Sequence, residues 1–199
     1  GGDELLIDLR DAPRGEPLPI YLPRRQPLPN TEMFAEHLLE QSRRLILGRS
    51  GLTAVLIDAP HMRQRLCSEL AAEFGSRVTL ESTAPETNGV ICCSWSWWLS
   101  HQHLLPEPEQ LIAALLPIAS REEPLTAARV ESLKRLGRDW FRTLLLPEAL
   151  AILIPAVASL RTSGGRLAIL DGRVRGRSWG EQVLRALEPW QALRRLRPD

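Results

Sequence analysis

The chain has 199 residues, 44% of them hydrophobic, and a formal net charge of +1. That length supports one domain with a substantial core and little more. Near-neutrality excludes a global field that would drive the protein onto nucleic acid or an anionic membrane. The positive charge is nearly all arginine, since Lys134 is the only lysine. Arginine keeps its charge and grips carboxylates or phosphates with a planar fork, although a GC-rich coding sequence gives the same bias.

Glu4–Arg10 alternates apolar and polar residues and predicts a strand, and Asp11–Glu16 reads as a loop. Pro17–Pro29 is punctuated by proline. Ile20, Tyr21 and Leu22 form a short extended piece there, expected at a sheet edge because proline has no N–H to donate. Asn30 is a good N-cap before Thr31, and Met33, Phe34, Leu38, Leu39, Leu45 and Ile46 recur at helical spacing up to Gly48. Leu52–Ile57 fits a strand buried on both faces. Pro60 to Phe74 is helical, with Leu66, Leu70 and Phe74 on one face and Gly75 as the stop. Arg77–Glu81 is a further strand, Ser82–Asn88 a loop, Val90–Cys93 a buried strand, and 94–98 a tryptophan-dense turn.

Gln110–Leu115 and Arg166–Leu170 predict two more strands, and helices are expected over 124–136, 147–161 and 179–187. Strands alternating with helices imply an α/β domain, a mostly parallel sheet with helices on both faces. No linker interrupts the chain, so 1–199 reads as one domain, with 1–30 as lead-in and 31–199 as core. In such sheets function gathers on loops at the carboxyl ends of strands. Here those loops start at Asp58, at Ser94, near Pro117 and at Asp171.

Several chemistries are excluded. Cys67, Cys92 and Cys93 are odd in number and two are adjacent, which fits buried reduced thiols of a cytosolic protein. No paired Cys-x-x-Cys supports a zinc or iron–sulfur site. The chain opens on Gly-Gly with no Met and no signal peptide, which suggests an excised fragment or a processed product, and no apolar run of membrane-spanning length is expected. No Gly-x-x-x-x-Gly-Lys-Ser/Thr loop is present to cradle phosphates, nor a Gly-x-Ser-x-Gly elbow or His-Glu-x-x-His. His101 and His103 flank Gln102 but lack a completing ligand, and read as solvent-facing with no metal site. A stand-alone small-molecule enzyme therefore finds no nucleophile–base pair or metal cluster.

Trp95, Trp97 and Trp98 carry two readings. They pack in the core or against a neighbouring domain, or they stack on bases of a single strand. An alternating geometry would put Trp95 and Trp97 on one face and Trp98 on the other. Arg161, Arg166, Arg173, Arg175 and Arg177 cluster near the last predicted strand. They read as a solvated basic face, with Arg173 pairing a carboxylate at its turn, or as phosphate contacts.

From Gly89 to Arg173 the order of elements resembles the second motor domain of the DinG/XPD-like helicases of superfamily two. Pro-Ile-Tyr-Leu-Pro-Arg and Pro-Asn-Thr, within 19–31, look like that family's lead-in. Leu52–Pro60 resembles the fourth helicase motif, with Asp58-Ala59-Pro60 where the family has Ser or Thr. Ser96 to Gln102 resembles the fifth motif, Ser-Phe-Trp-Glu-Gly-Val-Asp, with Leu99 for the acid, Ser100 for the glycine and Gln102 for the aspartate. Against the sixth motif, Gln-x-x-Gly-Arg-x-Ile-Arg, this chain sets Ile154, Val157, Ala158, Leu160 and Arg161, and keeps only the last arginine.

The resemblance implies a RecA-like fold and a cytoplasmic ATP-dependent DNA helicase. An upstream first motor domain of the same polypeptide would hold most of the ATP and Mg2+, leaving this chain without ATPase activity alone. It implies Arg161 as the catalytic arginine and, with Gln102, the nucleotide contact. Ser94, Trp95, Ser96 and Ser100 would face single-stranded DNA or the other domain. The substitutions in the fifth and sixth motifs keep a second expectation open, a degenerate DNA-binding or interaction module that does not hydrolyse ATP.

Overall fold

Short apolar runs carry the fold. The computed structural model describes residues 16–196, and the strand expected at Glu4–Arg10 lies outside them. Seven strands form one sheet: β1 (Leu18–Tyr21), β2 (Leu52–Leu56), β3 (Val78–Leu80), β4 (Val90–Cys93), β5 (Pro108–Ala113), β6 (Arg166–Ile169) and β7 (Trp190–Leu193). Their spatial order is β3-β4-β2-β5-β6-β1-β7, and every pair is parallel. The helices are α1 (Phe34–Ile46), α2 (Pro60–Phe74), α3 (Trp95–His101), α4 (Pro124–Arg135), α5 (Leu146–Ser163), α6 (Arg173–Gly176) and α7 (Gly180–Ala186). This is an α/β, RecA-like arrangement.

Successive strand residues point to opposite faces, so the runs feed two cores. Ile20, Leu56, Ile91, Cys93, Leu111, Leu167 and Ile169 meet α3, α5, α6 and α7 on one face. Val55, Ile57, Val90, Cys92, Ile112 and Ala168 meet α1 and α2 on the other. All five residues of β2 are buried, as expected for a strand covered on both sides. Each fully buried branched side chain is worth about 1.5–3 kcal/mol relative to exposure. Cys92 and Cys93 lie in these cores and Cys67 is half-buried; all three are free thiols.

Three expectations need correction. β1 is not an edge strand; it lies between β6 and β7. Pro19 is tolerated because alternate amides point to opposite neighbours and the β1–β6 ladder begins only at Ile20, while the Leu18 N–H reaches Pro189 O at 2.9 Å. Next, α1 starts at Phe34 rather than at Asn30, after a turn in which the Thr31 hydroxyl donates to Leu28 O at 2.8 Å. Finally, a π-helical turn, Phe141–Leu145, runs straight into α5. Together Phe141–Ser163 is 23 residues long, with an 18-residue window of mean hydropathy 1.9, enough by length and composition to cross a membrane. Its inward stripe of Leu146, Leu153, Ala156, Val157 and Leu160 packs on the sheet, the placement of a core helix.

Two polar networks fix the layers. Arg166 is 6% exposed and is no part of a solvated basic face. It donates to Gln110 Oε1 (2.9 Å) and Leu45 O (3.0 Å), while Gln110 Nε2 donates to Leu45 O and Thr53 Oγ1, both at 2.9 Å. The last turn of α1 is thereby tied to β2, β5 and β6. In the second network, His37 Nε2 shares a hydrogen bond with Gln26 Oε1 (2.7 Å), and Gln26 Nε2 donates to Ile169 O (2.9 Å).

Burial holds the His37 pKa below its ordinary 6.5, outweighing a hydrogen bond with the Leu170 backbone. The folded state thus binds a proton less readily than the unfolded chain. Stability should be fully present above 6.5 and fall as the pH drops below it toward the lowered folded value. Thermal melts across this range should show a steeper acid loss for wild type than for His37→Gln; parallel curves would show that His37 does not carry the dependence.

Candidate functional site

Because all strands are parallel, the loops after β2, β4, β5 and β6 emerge at one edge of the sheet. They bound an open cleft of about 1130 Å³. Its polar lining includes Asp58, Arg63, Ser94, Ser96, Arg121 and Arg173, and its apolar lining includes Leu116, Ile118, Trp140 and Phe141. Pro29 and Asn30, from the segment before α1, complete the rim.

Each loop is pinned by its own polar contacts. Asp58 Oδ1 accepts the Trp95 N–H at 2.9 Å. The residue keeps solvent contact, yet its carboxyl sits inside the concavity. Lost hydration pushes its pKa up, against the opposing pull of the Trp95 N–H and Arg63. Arg63 Nη1 donates to Ile57 O (2.9 Å) and Asp58 O (3.3 Å). Asp171 is fully buried. Its Oδ2 accepts the Leu116 N–H at 3.0 Å and its Oδ1 the Arg173 N–H at 3.0 Å, and the Arg173 guanidinium closes on it at 2.6 Å. One carboxylate therefore locks the β5 loop to the β6 loop, with Arg173 in the turn-pairing role anticipated for it.

The tryptophan-dense turn is a helix. Ser94 Oγ accepts the Trp97 N–H at 3.1 Å and caps α3. It also lies 3.3 Å from Ser96 Oγ and 3.3 Å from Glu81 Oε2. Glu81, at the end of β3, has φ 49°, a left-handed conformation costing roughly 1–3 kcal/mol in a non-glycine residue. Helical spacing puts Trp95 and Trp98 on one face, both 0% exposed. Their indole N–H groups donate to Leu115 O (2.8 Å) and Ala156 O (3.1 Å). Trp95 is thus core and has no ring face to offer a base. Trp97, half-buried, stacks on His101 with ring centroids 4.4 Å apart. A strong apolar count without strict alternation was the available signal for this helix.

The other expected site residues lie elsewhere. α5 runs back along the sheet, and Ser163 Oγ donates to Pro108 O at the start of β5 (2.8 Å). Its last turn is therefore at the amino edge, opposite the cleft. There Arg161 donates to Pro189 O (2.9 Å) and Leu187 O (2.5 Å), satisfying carbonyls at the end of α7. The expected nucleotide contact is committed to the fold in this conformation. Gln102 Nε2 donates to Pro155 O on α5 (3.4 Å), and the exposed Ser100 hydroxyl donates back to Ser96 O (3.0 Å). Of the six predicted residues, Ser94 and Ser96 reach the cleft. Arg63, Arg121 and Trp140 also line the cleft and were not anticipated, since each lies outside the stretches that resemble helicase motifs.

No protein-family model matches the chain. The chain is 27% identical over 183 residues to the ATP-dependent DNA helicase YoaA of Haemophilus influenzae, covering 85% of this chain. It spans 28% of that relative's length.

Proposed function

We propose that the whole chain is one domain, the second motor domain of a cytoplasmic, DinG-like ATP-dependent DNA helicase. Its carboxyl-edge cleft faces a first motor domain of the same polypeptide, which binds ATP and Mg2+, and its loops contact single-stranded DNA. The observation that carries this reading is the convergence of four strand-end loops on one cleft, in a chain similar to part of a helicase. The residues present fit a supporting share of a nucleotide site. Arg121 and the Ser94 and Ser96 hydroxyls can meet phosphate oxygens, and no phosphate-cradling loop is present. Bound ATP would supply the free energy for strand movement; this domain would supply the wall that closes on it.

One observation favours the second reading, a non-hydrolysing module. Arg161, the arginine retained from the sixth motif, is tied to Pro189 and Leu187 carbonyls at the far edge. An arginine reaching a transferring phosphoryl group is worth about 10³–10⁵ in rate. Steady-state ATPase of the full-length polypeptide with DNA, wild type against Arg161→Ala, separates these cases. DNA-stimulated turnover should be present and, per folded molecule, change less than about tenfold in the variant. Absence of hydrolysis by the wild type would favour the module. A larger loss with the fold intact would place Arg161 at the nucleotide.

A further inference from the structure

We propose that Arg121 and Lys134, gathered on the Trp140 ring at the rim of the cleft, form a phosphate-binding site. The ligand class rests on the helicase reading above; the site itself rests on geometry. The Arg121 guanidinium carbon lies 4.3 Å from the Trp140 ring centroid, and Lys134 Nζ lies 5.9 Å from it. The loop after β5 brings Arg121 there, and the last turn of α4 brings the chain's single lysine.

The other cleft cations are already engaged, Arg63 by backbone carbonyls and Arg173 by Asp171. Among the described residues neither the Arg121 nor the Lys134 side chain has a hydrogen bond or ion pair. Two nearby acids in sequence, Asp139 and Glu148, are partnered elsewhere. Asp139 accepts from the Arg142 N–H (3.1 Å) and pairs with its guanidinium (3.3 Å), and Glu148 pairs with Arg129 (2.5 Å). Glu122 and Glu123 share the Arg121 loop, which keeps the cleft near neutral overall and makes the two cations a local site rather than a broad basic patch.

The indole is anchored. It meets Phe141 edge-on at 6.1 Å, and Phe141 packs on the buried Trp179 at 4.9 Å. A platform fixed to the core holds two flexible cations near their binding geometry and reduces what ordering costs on association. The planar fork of Arg121 suits two oxygens of one phosphate, and the Lys134 ammonium acts as a point charge beside it.

The phosphate can belong to a nucleic-acid strand or to a nucleoside triphosphate, and binding by this chain tells them apart. The measurement is fluorescence anisotropy of a labelled oligothymidylate and of a labelled ATP analogue, over a salt series. The proteins are wild type, Arg121→Ala/Lys134→Ala, and Arg138→Ala as an exposed neighbour outside the site. The double variant should bind the oligothymidylate at least about tenfold more weakly at low salt. The slope of log affinity against log salt should shrink by about 1.4, the share of two single-strand phosphate contacts. Arg138→Ala should match wild type. Loss confined to the ATP analogue would support the site and assign its phosphate to the nucleotide. Unchanged affinities for both probes, or no binding of either by wild type, would overturn the proposal. Hydrolysis by the full-length protein is a separate readout, so failure of the helicase reading and failure of this site remain distinguishable.

Discussion

Asp171→Ala should destabilise the domain by about 3–5 kcal/mol, the usual result of removing one partner of a buried ion pair. For a domain of this size that lowers the thermal midpoint by roughly 6–20 °C. The reason is local. Asp171 has no exposed surface, and its two oxygens satisfy the Leu116 N–H, the Arg173 N–H and the Arg173 guanidinium. Alanine would leave a half-buried cation and a buried amide without partners. Removing Arg173 as well should recover part of the loss, so Asp171→Ala/Arg173→Ala should melt higher than the sum of the single changes implies. Circular dichroism melts of the four proteins test this. Additive effects, or a loss below about 1 kcal/mol for Asp171→Ala, would show that the β5 and β6 loops are held by other contacts.

Gly180→Ala should be comparably damaging. A Cβ at this position would sit 1.7 Å from Val174 O and 2.6 Å from its carbonyl carbon. Both are backbone atoms, so no rotamer relieves the overlap. α6 and α7 would have to part, and Val174, Trp179 and Val183 would leave the core they share with α5. The cost should exceed about 3 kcal/mol, the upper end of ordinary overpacking. Gly164→Ala provides the contrast. A Cβ there meets nothing within 4 Å, and the cost comes only from a left-handed backbone, φ 74° and ψ 17°, roughly 1–2 kcal/mol. Urea unfolding of both variants should rank them in that order; similar midpoints would mean the helices shift apart freely.

Most of the fold was legible because it depends on short-range pattern. Leu52–Leu56 is a buried strand and Pro60–Phe74 a helix stopped by Gly75, as their apolar spacing and end residues dictate. Strand β7 was not legible. Trp190–Leu193 is four residues with an exposed Gln-Ala centre, held by its ladder to β1 and by two half-buried ends, Trp190 and Leu193, that pack on opposite cores. The edge reading of β1 failed for a related reason. Proline bars donation on one side only, and which side matters depends on where a neighbour's ladder begins.

The candidate site was half legible. The loops that form it follow from strand order; Ser96 opens the stretch that resembles a helicase motif, and Ser94 starts the strand-end loop just before it. Which tryptophans face inward depended on a helix that alternation misreads. Which arginines are uncommitted depends on tertiary partners far away in sequence, such as the Leu187 and Pro189 carbonyls that hold Arg161. No local pattern encodes that choice.

The position of β1 also bears on how the chain is made. Its two ladder partners, β6 and β7, are the last two of the seven described strands, whereas β3, β4, β2 and β5 are all made before them and adjoin one another. A ribosome therefore releases β1 long before either neighbour exists, and non-local pairing of this kind is slow to form. The block β3-β4-β2-β5 can assemble during synthesis, leaving the Leu18–Tyr21 segment to wait with its backbone unpaired. A translation pause or a cut before Arg166 would strand that segment as an apolar edge, the form in which nascent chains attract chaperones or one another.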